Sequence, residues 1–186
     1  MDWGYTIRDY VQFENMTDVK HEYVEGAIRA MAGGSLEHAR IAMQIAMQLG
    51  LQLRGRPCAV YSADARVRVS GLPVITYPDV SVGCGEARVD AEDPYAQLNP
   101  TVIVEVTSPS SESYDRGRKL EFYKHIPSLC EYVIVSHRER AIDVFRRGAD
   151  GGWTLAARGE AGGRVELTSI GCVVDVDELY DDPRRA

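Results

Sequence analysis

Between Ser35 and Gly55 apolar residues fall at Ile41, Ile45, Leu49 and Leu53, one every four positions. That spacing lays a stripe along one face of a long helix. Ser35 offers a capping hydroxyl, Glu37 an acid suited to the positive helix start, and Gly55 a stop. A shorter helix is expected from Thr6 to about Phe13, because Asp9 stands three residues after a capping threonine. Before the long helix, residues 21–32 read as a hairpin that turns at Glu25-Gly26, and Gly33-Gly34 breaks the pattern.

Beyond Cys58 the helical period gives way to strand-like patterns. Ala65, Val67 and Val69 alternate with Arg66 and Arg68, as expected of a half-exposed strand. YPDVSVGCG reads as a second strand, and the polar, proline-bearing stretch 85–100 as a loop. TVIVEVT is apolar throughout except for one glutamate, which predicts a strand covered on both faces. SPSSES is a loop, residues 112–125 a helix, and EYVIVSH another buried strand. RERA turns the chain into IDVFRRG. The rest is β-rich and closes on a short helix at DELY. No repeat or linker interrupts the chain. The order predicts one α/β domain over residues 1–186, with a mixed central sheet, helices on its faces, an added N-terminal hairpin and added C-terminal strands.

Composition narrows the function classes. The chain has 186 residues, 45% hydrophobic and 26% charged, enough for a full core. No apolar run reaches membrane length, and MDWGYTIRDYVQFENM lacks the basic flank and apolar stretch of a secretory leader, so a cytoplasmic protein is expected. A net charge of −7 and a pI near 5.1 count against a dedicated nucleic-acid binder, whose affinity comes mostly from basic groups on phosphates. An acidic chain still suits a nuclease whose metal site needs carboxylates. Cys58, Cys84, Cys130 and Cys172 form no CxxC pair; their even number permits disulfides, but three of the four sit in or beside apolar runs, so buried free thiols are expected.

The chemistry centres on Glu105, set between Val104 and Val106. A carboxylate in a buried strand must be paired, protonated or bound to a cation; the plainer alternative is a strand-end salt bridge. Asp79, after Pro78, opens the apolar run Val80-Ser81-Val82, although an acid there also suits a simple turn. Adjacent strands could bring these two acids to one ion, and oxygen donors favour Mg²⁺ or Mn²⁺ over zinc. Glu22 in HEYVEG is a third candidate and Glu25 a weaker one; either could be a surface acid of the hairpin. Asp115 and Lys119, four apart on a helix, are site residues or an exposed ion pair. Tyr123 continues their face, toward the site or over the core. Gly33-Gly34-Ser35 could greet a phosphate, although ordinary capping explains it equally. His38 lines the pocket, lies exposed or is bonded locally. Ser108, Ser110 and Ser111 lack a nucleophile elbow, and no phosphate-binding or dinucleotide-binding fingerprint is present.

HEYVEG, AGGSLEHARI, YPDVSV, the run NPTVIVEVTSPSSESYDRGRKLEFYKHIPSLCEYVIVSH and IDVFRR follow one another in an order that resembles the Uma-type restriction endonuclease family, part of the PD-(D/E)XK restriction-endonuclease-like superfamily. The likeness runs from about Thr6 to Val176 and is most specific from Val102 to Val135. It implies that Asp79 and Glu105, with the main-chain carbonyl of Val106, hold Mg²⁺ (or Mn²⁺). It further implies that Glu22 assists and that Lys119 steadies charge or orients water. DNA is the implied substrate. Exposed strand edges and a hydrophobic C-terminal segment in such a fold make a homodimer the expected assembly. Thr107 stands where the superfamily has a lysine, so Lys119 would supply the ammonium from the helix. The alternatives are an inactive member of the fold that binds nucleic acid or protein, and an enzyme acting on another phosphoester.

Overall fold

The computed structural model describes residues 4–185; residues 1–3 and 186, included in the domain and leader readings above, lie outside the described residues. Thr6 and Asp9 form the expected reciprocal cap on α1 (Ile7–Glu14). The hairpin β1 (His21–Val24) and β2 (Ala27–Ala30) follows. Its two turn residues both have positive φ, 50° at Glu25 and 88° at Gly26, the twist a two-residue hairpin loop needs. The striped helix is α2 (Leu36–Gln52), capped by Ser35 and burying Ile41, Ile45 and Leu49.

The next strands are β3 (Cys58–Ser62), β4 (Arg66–Arg68), β5 (Val74–Thr76), β6 (Val80–Cys84), the two-residue β7 (Ala96–Gln97) and β8 (Val102–Val106). The helical stretch runs as α3 (Glu112–Tyr114), a π-helical turn Asp115–Lys119, and α4 (Leu120–Tyr123). Then come β9 (Glu131–Val135), β10 (Ala141–Arg147), β11 (Trp153–Glu160), β12 (Arg164–Leu167), β13 (Cys172–Asp175) and α5 (Val176–Tyr180).

Six strands form the main sheet in the order β11-β10-β9-β8-β6-β3, with β8 and β9 parallel and their neighbours antiparallel. Alternation along β8 divides the interior in two. Val102, Val104 and Val106 face α2, α5 and the β12–β13 pair, whereas Ile103 faces α4 and the second sheet, β2-β1-β5-β4-β7. This is the expected mixed α/β architecture. Among the described residues no helix is long and apolar enough to cross a membrane.

Two expectations are corrected. Cys58 and Cys84 are not free thiols: they form a disulfide, because the β3–β6 register sets them directly opposite with Cα atoms 4.0 Å apart. Cys130 and Cys172 remain free. Arg66 is buried rather than solvent-facing. Asp93, from the long loop, binds it at 2.8 Å, and Tyr77 accepts from its Nε at 2.6 Å, so the charge is paired inside. The supposed single strand around it is two strands, β3 and β4, in different sheets.

Candidate metal centre

The β6–β8 register pairs Val80 with Val104; continued one step, it sets Asp79 opposite Glu105. Directly opposed residues of an antiparallel pair share a face, so both acids turn the same way. Asp79 is fixed by the backbone, its Oδ2 accepting from Val106 N at 2.8 Å. Glu105 Oε1 accepts from Tyr123 Oη at 2.8 Å and lies 2.9 Å from Lys119 Nζ. The same ammonium stands 3.3 Å from Glu22 Oε1 and 3.9 Å from Asp115 Oδ1. Four separate pieces of chain therefore meet here: β1, the start of β6, the end of β8, and the π-helical turn.

The turn is held by Tyr132 of β9, whose hydroxyl donates to the Asp115 carbonyl at 3.0 Å and whose ring meets Tyr123 edge-on. Thr76 of β5 is hydrogen-bonded to Tyr123 Oη at 3.0 Å. π-Helical turns widen a helix locally and recur at functional sites. Here the turn carries Asp115 and Lys119, both buried.

Burial governs the electrostatics. It pushes the Glu105 carboxyl up to about 8; Lys119 opposes the shift, and the charges of Asp79 and Asp115 add to it. Burial likewise raises Asp115, against the pull of Lys119. For Lys119 burial works toward neutrality, but Glu105, Glu22 and Asp115 outweigh it and keep the ammonium charged. The His38 ring, 3.2 Å from Asp79 through Nε2, is raised first by its hydrogen bond to that acid, against the opposing effect of burial.

Glu22, Asp79, Glu105 and Lys119 thus come together, and Asp115, Tyr123 and His38 join them. Glu25 does not; it pairs with Arg118 outside the cluster. Ser35 acts as a helix cap, and Ser108, Ser110 and Ser111 bond among themselves. Thr107 is tied to His137, with Oγ1 2.8 Å from Nδ1. Thr76 and Tyr132 were not singled out from the sequence. A hydroxyl between apolar neighbours reads as core, and only the fold shows it backing Glu105. A separate groove of about 580 Å³, lined by residues such as Phe13, Met16 and His21, shares none of the four predicted residues.

The donor set suits a hard divalent cation: two carboxylates from paired strands, an adjoining main-chain carbonyl, and Glu22, whose buried Oε1 makes no hydrogen bond. Among the described residues no three acidic, histidine or cysteine groups already close on one point at ligand spacing. Lys119 and His38 hold the carboxylates instead.

The family model "Uma2: Putative restriction endonuclease" matches residues 7–175. Among curated proteins, the uncharacterized protein slr1290 of Synechocystis sp. is 37% identical over 172 residues, covering 92% of this chain and 89% of its own. A second uncharacterized protein of that organism, sll1609, is 29% identical over 150 residues, covering 81% of this chain and 85% of its own. Among solved structures, a putative nuclease of DUF820 from Anabaena variabilis superposes with a TM-score of 0.70 at 17% identity, over 88% of this chain and 91% of that one. That likeness bears on the fold.

Proposed function

Since the chain belongs to the Uma2 family, described as putative restriction endonucleases, we propose that it is a metal-dependent endonuclease that hydrolyses phosphodiester bonds in DNA. The observation that carries the reading is the convergence of Glu22, Asp79, Glu105 and Lys119 from four elements: the Lys119 ammonium lies within ion-pair reach of Glu22 and Glu105, and Asp79 is bonded to the Val106 N–H beside Glu105. Asp79, Glu105 and the Val106 carbonyl would hold Mg²⁺ or Mn²⁺. When bound, such an ion supplies Lewis acidity toward the scissile phosphate and lowers the pKa of water. Lys119 offsets negative charge building on the phosphate, a role for which its retained ammonium is suited. Glu22 orients water or shares the cation through its Oε1, which is ion-paired to Lys119 but makes no hydrogen bond. Tyr123, donating to Glu105, fixes that carboxylate's direction. Exposed Arg29, opposite Glu22 across the hairpin, offers a positive charge to the DNA backbone.

The test is a plasmid-nicking assay with Mg²⁺, Mn²⁺ or chelator. Cleavage should require the ion and disappear in Asp79→Ala and Glu105→Ala; cleavage surviving both substitutions would refute the assignment. One observation favours a second reading, a non-catalytic module that binds nucleic acid or protein: Lys119 and His38 already satisfy the acids, with Thr107 turned to His137. DNA retention in a gel shift without cleavage under any divalent ion would select it. The proposal further takes the chain as one domain, cytoplasmic, and paired as a homodimer that addresses two strands of a duplex. Light scattering at micromolar concentration checks the last point.

A further inference from the structure

His38 has no part in the nuclease reading above, yet several contacts fix its direction. The Ser35 hydroxyl accepts from His38 N at 3.1 Å, fixing the first turn of α2. Gly34 makes room for the ring: a Cβ there would lie 2.7 Å from His38 Nδ1. So seated, the ring is about one-fifth exposed and presents Nε2 3.2 Å from Asp79 Oδ2. It also reaches the Val106 main chain, the other donor assigned to the cation.

That spacing has a chemical meaning beyond a hydrogen bond. Neighbouring ligands of a six-coordinate ion with bonds of about 2.1 Å stand roughly 3 Å apart. An imidazole nitrogen and a carboxylate oxygen facing each other across such a gap, beside a main-chain carbonyl, are arranged as adjacent donors to one ion. The ring enters from α2, a different element from the π-helical turn that carries Lys119.

We propose that His38 Nε2 is a direct ligand of the divalent cation at this site, completing a set with Asp79, Glu105 and the Val106 carbonyl. The proposal rests on the preceding reading that these acids hold an ion, and adds the identity of the ion. A neutral imidazole suits first-row transition ions, whereas Mg²⁺ takes oxygen. The site therefore selects Mn²⁺ over Mg²⁺.

Pulsed electron paramagnetic resonance of the full chain loaded with Mn²⁺ alone tests it. The wild type should show hyperfine coupling from a directly coordinated nitrogen, and His38→Ala should lose it. In calorimetric titrations His38→Ala should weaken Mn²⁺ binding about tenfold or more while changing Mg²⁺ binding far less. Gly34→Ala keeps the imidazole but pushes the ring off its seat, and should lose the nitrogen signal as well. Circular dichroism melts verify that both variants fold. Mn²⁺ bound without nitrogen coupling in the wild type overturns the role of His38 and leaves the Asp79–Glu105 site standing. No Mn²⁺ binding at all overturns both.

Discussion

Glu105 near the end of β8 and Glu131 at the start of β9 are both buried on strands that pair directly, yet their surroundings differ. Glu131 accepts from Arg146 Nε at 2.7 Å, from the main-chain N–H groups of Thr168 and Ser169 at 3.1 and 3.2 Å, and from the Ser169 hydroxyl. Donors reach both oxygens, and the charge is at rest. Glu105 has Tyr123 and Lys119, both on Oε1, and like charges on Asp79 and Asp115 nearby. Burial therefore does not distinguish a working acid from a structural one. The supply of donors does: a saturated carboxylate locks the fold, and an under-supplied one among like charges retains capacity for an incoming cation.

The contrast breaks most visibly in activity. Asp79→Ala should lower cleavage by about a thousandfold or more and cost only about 1 kcal/mol of stability for the unpaired Val106 N–H; a modest loss of cleavage would end the distinction. Glu131→Ala should do the reverse. Urea denaturation should show a stability loss of about 3 kcal/mol from the stranded Arg146 and unpaired N–H groups, with metal binding intact in the folded fraction.

A subtler test uses pH in the absence of metal. With its pKa raised from 4.5 to about 8, the folded Glu105 keeps a proton that the unfolded chain releases. Stability contributed by this group is therefore full below about 4.5 and declines as pH rises to 8, after which the loss is complete. Glu105→Gln removes the titration, so the variant's stability should be steadier across that window. The smallest effect is expected of Tyr123→Phe. It removes one donor from Glu105 at a cost of about 1 kcal/mol and moves the midpoint of that pH dependence upward, as nuclear magnetic resonance of the carboxyl carbon would record.

Much of this centre was legible because its residues break their local pattern. A glutamate inside VIVEV and an acid after proline before an apolar run are conspicuous, and the β6–β8 pairing then brings them together. Tyr123 and His38 carried no such mark. A tyrosine fits a core face as well as a site, and a histidine in a first helical turn reads as surface. Glu131 opens its apolar run much as Asp79 does, and only the distant Thr168–Ser169 segment reveals its role. The buried Arg66 depended on Asp93, and the Cys58–Cys84 bond on strand register. Such long-range pairings leave no trace in local periodicity.

The π-helical turn makes this stretch of chain sensitive to length in a way most surface segments are not. A π turn holds about one residue more than an α turn, so trimming a single amino acid from between Asp115 and Lys119 would let it close to regular helix and lose the widened turn. Asp115 and Lys119 would then stand three positions apart instead of four, and the ammonium would leave its place beside Glu105. Among naturally or artificially shortened relatives, a missing codon here should silence the protein even where ordinary substitutions at exposed Gly117 are harmless.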